Sequence, residues 1–145
     1  MASLRKLLTD KGYKRIKLQI TATNHLEIPA KINGVEGIFL LDTGASSSCV
    51  GTNTAEHFKL FAEDSDIKAA GAGATNMLTQ VSANNVLEID QWKAKKVDLV
   101  LFDLRHVNEA LIQHDAETVH GIIGADILQK SKAVIDYKQK CVYLK

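Results

Sequence analysis

The 145-residue chain has one proline, Pro29, one tryptophan, Trp92, and two cysteines, Cys49 and Cys141. With no proline-rich or low-complexity stretch to act as a linker, and no segment repeating another, residues 1–145 read as a single domain. Two cysteines without paired spacing exclude a disulfide framework and a cysteine-ligated zinc site, so free buried thiols are expected. An excess charge of either sign is also missing, since 18 Lys and Arg stand against 17 Asp and Glu. That balance creates no field to draw the chain onto nucleic acid or an anionic membrane, and neither is expected as a partner. The first twenty residues carry Arg5, Lys6, Lys11, Lys14, Arg15 and Lys17 but no apolar run long enough for a signal peptide or a membrane span. A soluble, cytoplasmic protein is the expectation. Residues 1–13 read as an N-terminal extension: a removable lead, a dimer-edge strand or a disordered tail.

What is present is apolar sequence arranged in short pieces. At 46% apolar content the chain has enough material for one core. Ile16-Lys17-Leu18-Gln19-Ile20-Thr21 and Leu26-Glu27-Ile28 alternate as half-buried strands do, and Asn33-Gly34 marks a tight hairpin. Gly37-Ile38-Phe39-Leu40-Leu41 is continuously apolar, which suits a strand covered on both faces, and it runs directly into Asp42-Thr43-Gly44. Ala55, Phe58 and Phe61 predict a short helix over 53–61. Val107, Ala110 and Leu111 predict a second over 104–114. Between them, Ile67 to Ala70 and Met77 to Val81 flank a small-residue tip, Gly71 to Thr75, and read as a hairpin. Val86–Ile89, Val97–Phe102, Ala133–Tyr137 and Cys141–Leu144 complete a mostly β pattern with one or two short helices.

The stretch Phe39-Leu40-Leu41-Asp42-Thr43-Gly44-Ala45-Ser46 resembles the catalytic loop of the aspartic peptidases, a hydrophobic strand ending in Asp-Thr-Gly. Downstream, Gly121-Ile122-Ile123-Gly124-Ala125-Asp126-Ile127-Leu128 is similar to the hydrophobic-hydrophobic-Gly segment that packs beneath that loop. The two occur once each, in the family's order. A single copy in a chain of this length resembles the retropepsin-like branch, which has bacterial as well as viral members and works as a homodimer. The resemblance implies a closed acid-protease barrel and an aspartic endopeptidase acting on peptide or protein substrates, without metal or organic cofactor. It implies Asp42 as the catalytic residue, paired with Asp42 of a second copy. Thr43, Gly44 and Ala45 would support the active-site loop. Gly71, Ala72 and Gly73 would form a substrate-covering flap, and Gly124 and Asp126 the support beneath the loop. Ala125 stands where viral relatives carry an Arg that braces the dimer.

The chemistry explains the residue types. Hydrolysis without a covalent intermediate needs one group to take a proton from water and another to give one to the carbonyl oxygen. Two facing carboxylates that share one proton do both, as in pepsin, a known example of such a dyad.

Plainer readings stand beside these. Asp-Thr-Gly after a strand is, alone, an ordinary turn, and Asp126 reads equally as the cap of a helix starting near Ile127. Gly71-Ala72-Gly73 lacks the third glycine and the lysine of phosphate loops. Ser46, Ser47 and Ser48 match no hydrolase elbow. The five histidines, His25, His57, His106, His114 and His120, have no metal-ligand spacing and read as solvated or locally hydrogen-bonded, with His120 in a structural role. A non-catalytic dimerisation or peptide-binding module on the same fold is the alternative function.

Overall fold

Leu26, Ile28, Ala30 and Ile32 alternate with more polar neighbours, which dictates a strand with one face inward. A computed structural model of the chain describes residues 3–71 and 74–145, and the side chains outside 65–78. In it that strand is β3 (Leu26–Ile32), its burial alternating along its length. Asn33 and Gly34 follow with φ of 52° and 83°. Two successive positive values are what the twist of a two-residue hairpin requires. β4 (Val35–Leu41) returns antiparallel to β3, from Ile32 opposite Val35 to Leu26 opposite Leu41. Asn33 also reaches outward. Its side chain donates to the Phe58 carbonyl at 2.9 Å and accepts from the Val86 N–H at 3.0 Å, tying the turn to two distant segments.

The remaining strands are β1 (Lys14–Lys17), β2 (Gln19–Ile20), β5 (Cys49–Gly51), β6 (Glu63–Gly71), β7 (Ala74–Ile89), β8 (Trp92–Phe102), β9 (Gly121–Ile123), β10 (Val134–Asp136) and β11 (Cys141–Leu144). β3, β4, β9, β5, β8 and β7 are neighbours in that order, and β7 pairs back onto β3 through Lys31–Glu88 and Ile32–Leu87. The sheet therefore closes on itself, which removes two edges and encloses a core of Ile28, Ile32, Phe39, Leu87, Leu99, Leu101 and Ile123, none more than 2% exposed. The mostly β, closed architecture expected from the sequence is the one observed. A separate small sheet, β1–β11–β10, brings the two ends of the chain together.

Some elements differ from expectation. The described residues form three short α-helices: α1 (Leu4–Asp10), α2 (Arg105–Gln113) and α3 (Ala125–Lys130). α1 occupies the stretch whose state the sequence left open. Ser3 caps it by accepting from the Lys6 N–H, and Leu8 buries against Cys141 and Tyr143. The helix expected over 53–61 is only a 3-10 turn, Thr52–Thr54, followed by turns. Lys59, at φ 57°, ends it, and Phe61 is 89% exposed. Phe58 does most of the covering, fully buried over Gly37, where a Cβ would come within 2.7 Å of its ring, with Ala55 and Leu60 partly buried beside the core. The strand expected over 16–21 is two strands in different sheets, because the buried Leu18 between them bonds to the Lys140 carbonyl at 2.8 Å. On α2, Leu111 is buried and Val107 half-buried as expected, whereas Ala110 is exposed.

Candidate active site

β4 is held between two partners of opposite direction, antiparallel β3 and parallel β9, with Leu41 opposite Ile123. The Asp42 N–H still donates to the Ile123 carbonyl at 2.9 Å, so the last rung of the ladder fixes the backbone from which the carboxylate projects. The chain then leaves the sheet. The Gly44 N–H donates to Asp42 Oδ1 at 2.8 Å and the Ala45 N–H to the Asp42 carbonyl at 3.2 Å, which folds Asp42, Thr43, Gly44 and Ala45 into one tight loop. A Cβ at Gly44 would lie 3.2 Å from Asp42 Oδ1, so a larger residue crowds the carboxylate. Asp42, Thr43 and Gly44 are all exposed.

The loop is stitched to the segment after β9. Ala125 N–H donates to the Ala45 carbonyl at 2.6 Å. Gly124 N–H donates to Ser48 Oγ at 2.8 Å, and that hydroxyl in turn donates to Asp126 Oδ1 at 2.7 Å. The Ser48 N–H donates to both Asp126 oxygens, at 2.9 and 3.0 Å. A hydroxyl that accepts one bond and donates another uses both of its capacities, and the buried Ser48 is left with no unmet polar group. Gly124 is required because a Cβ there would stand 2.5 Å from the Ala45 carbonyl oxygen. Asp126 also accepts from the N–H of Ile127 at 2.8 Å, but it does not cap the helix: α3 begins at Ala125 with Gly124 at its N-cap, and Asp126 lies within the first turn. Ala125 takes part through its backbone.

Nothing in the sequence singles out Ser48, because its partner lies 78 residues away. The same holds for the histidines, which sort into two groups. His57 and His120 stack face to face, ring centres 5.2 Å apart, with the Phe58 ring edge-on to both. His120 Nδ1 accepts from the Ile38 N–H at 3.0 Å, bracing the middle of β4, and His57 Nε2 lies 3.2 Å from the Glu36 carbonyl. His120 is structural, as read from the sequence. The other three, His25, His106 and His114, line a groove of about 820 Å³ that also contains Asp42 and Thr43. α2 forms one wall of it, fixed by Asn108, whose amide accepts from the Val119 N–H at 2.8 Å and donates to the Val119 carbonyl at 3.2 Å. Beneath that wall a second apolar cluster joins Leu111 and Leu104 to Leu40, Cys49 and Ile122.

Burial pushes the Cys49 thiol up to about 12, with the charges of Asp126 and Asp42 adding to the effect, so it stays protonated and is no nucleophile. Burial, and then the neighbouring His57, hold the His120 imidazole below its ordinary range. The unfolded chain therefore takes up that proton first, and stability present above about pH 6.5 is lost as pH falls toward the lower folded value. Urea midpoints measured from neutral pH down to about pH 5 should fall more steeply for the wild type than for His120→Asn, whose Oδ1 takes the place of Nδ1 and can still accept from the Ile38 N–H. Equal slopes would mean that another group carries the acid sensitivity.

Of the expected flap residues, Gly71 ends β6 opposite Ala74, while Ala72 and Gly73 lie outside the described residues. Among the described residues no three His, Cys, Asp or Glu side chains are grouped to hold a metal ion, and no helix is long and apolar enough to cross a membrane.

No curated protein matches the chain. Solved structures do. A retropepsin-like aspartic protease from Rickettsia conorii superposes with a TM-score of 0.61 at 16% identity, covering 91% of this chain and 89% of that one. The retroviral protease-like domain of Ddi1 from Leishmania major gives 0.58 at 18% identity, over 83% and 88%. EIAV protease complexed with the inhibitor HBY-793 gives 0.54 at 21% identity, over 76% and 90%. Identities this low establish a shared fold. The family model described as aspartyl protease matches residues 28–127, the span from β3 through the Asp42 loop to Asp126 and Ile127, and the chain belongs to that family, with the retropepsin-like fold.

Proposed function

We propose that the chain, as one domain, is an aspartic endopeptidase that works as a homodimer, with Asp42 as its catalytic residue. The observation that carries this reading is an exposed Asp42 carboxylate on a tightly held loop that lines a groove with no other carboxylate among the described residues. One carboxylate cannot serve as acid and base at once, so a second copy supplies its partner. In the dimer the ionised Asp42 takes a proton from water as the water oxygen bonds to the scissile carbonyl carbon. The protonated Asp42 gives its proton to the carbonyl oxygen. Breakdown of the resulting tetrahedral diol breaks the C–N bond, a proton passes to the leaving nitrogen, and the dyad returns to one shared proton.

Thr43 and Gly44 face the second copy in this reading. Ala45, Gly124 and Asp126 hold the loop still, so that reorganisation does not add to the barrier. The hairpin bearing Gly71, Ala72 and Gly73 closes over the substrate and excludes water. The site uses no metal or organic cofactor, and we place the protein in the cytoplasm, where the free buried thiols of Cys49 and Cys141 persist.

One observation favours a second reading. Ala125 offers only a methyl group where viral relatives brace the dimer with Arg, which suits a non-catalytic binding module whose subunits never align their carboxylates. Sedimentation with a statine-type transition-state inhibitor separates the two. An inhibitor-stabilised dimer that cleaves peptides at acidic to neutral pH is the expected result, because tight binding of such a compound reports a preorganised carboxylate pair. A monomer indifferent to saturating inhibitor would establish the module instead.

A further inference from the structure

Two of the five histidines are engaged with each other and with the β4 backbone, whereas His25, His106 and His114 converge on the groove that holds Asp42. They come from separate elements: His25 from the turn between β2 and β3, His106 and His114 from the two ends of α2. They are not grouped as metal ligands, so each acts as a separate hydrogen-bonding group. Leu26, Leu40, Val107, Leu111 and Ile122 give the groove its apolar surface, and among the described residues its lining has no Lys, Arg or Glu and no Asp but Asp42.

The polar capacity of the three rings is largely unused. His25 engages Thr23 Oγ1 through Nδ1 at 2.6 Å, leaving Nε2. His106 Nε2 is buried without a hydrogen-bond partner. Asp103, whose charge interacts with His106, is already satisfied. It accepts from the Arg105 N–H at 2.9 Å and from its Nε at 2.8 Å, and pairs with its Nη2 at 2.6 Å. His114 is exposed.

A wall of this composition discriminates by charge. Every imidazole presents at least one N–H donor, and two when protonated, whereas a substrate carboxylate offers acceptors only. A basic substrate side chain would meet donors and no free carboxylate other than Asp42. An acidic side chain, which the negative charge of the catalytic pair would otherwise repel, finds N–H donors there.

We propose that this groove is a specificity subsite for an acidic side chain of the substrate, recognised by the exposed His25 and His114 on a wall that His106 shares. The assignment rests on the peptidase reading and adds its substrate class.

The test compares matched peptides from a cleavage-site library, Glu against Gln or Asp against Asn at each position flanking the scissile bond, in mildly acidic buffer. For the wild type, the acid-to-amide ratio of kcat/KM should reach about tenfold or more at one position, the scale of a hydrogen bond to a charged group. In the triple variant His25→Gln, His106→Gln, His114→Gln the ratio should collapse toward unity. Should that variant fail to fold, His114→Gln at its exposed position carries the comparison and should lower the ratio by itself. A wild type without acid preference, or a preference that survives the substitutions, overturns the subsite and leaves the peptidase standing. A wild type that cleaves no library member overturns both.

Discussion

Asp42→Asn is expected to lower peptide cleavage by at least ~10³-fold, within the range contributed by a positioned general acid or base. The fold should survive. The asparagine carbonyl can still accept from the Gly44 N–H, and the exposed side chain at this position supports no core packing. Progress curves on a fluorogenic peptide, with thermal melts of both proteins, provide the measurement. A variant that melts like the wild type and retains activity within tenfold would remove Asp42 from the chemistry. Mixing adds a second readout. If each site needs one Asp42 from each copy, an equimolar co-refolded mixture contains about one quarter fully wild-type dimers, and activity per total chain falls to about that fraction. Independent monomers would retain about half, so the two results also separate a shared site from a self-contained one.

Gly124→Ala is expected to lower stability by ~2–3 kcal/mol, because the new Cβ meets backbone and not a side chain that can turn aside. Its obstacle, the Ala45 carbonyl oxygen 2.5 Å away, is itself bonded to the Ala125 N–H, so relief for the methyl group requires breaking that stitch. A melting temperature lower by roughly 4–10 °C is the expected scale for a chain of this size. Activity should fall further than stability explains, since the displaced loop is the one that aims Asp42. A variant with unchanged melting and kcat would show that the loop tolerates displacement and that the contact beneath it is dispensable.

The two predictions draw on different layers of information. Asp42 is legible in the sequence because its surroundings are local: a continuous apolar run becomes β4, buried on both faces, and the first polar residue after it must emerge where the strand ends. The hairpin at Asn33-Gly34 is legible for the same reason, because positive φ at two successive positions is a property of the residues themselves. The failed helix over 53–61 shows the limit of that reasoning. Ala55, Phe58 and Phe61 have helical spacing, yet only Phe58 is fully buried, against Gly37, Ala55 packs in part, and Phe61 stays exposed. Periodicity states which residues share a face, not whether anything faces them.

By itself the sequence determined the mostly β class and the loop that presents Asp42, because each depends on short-range backbone preference and on the order of two motifs along the chain. Only the tertiary structure decided what holds that loop and what lies beside it. Ser48 meets Asp126 through the parallel pairing of β4 with β9, and His25 joins His106 and His114 because α2 packs over the same end of the barrel. Such contacts join residues tens of positions apart, and no local spacing encodes them. They arise when the sheet closes and chain segments that never neighbour one another in sequence come to share one wall.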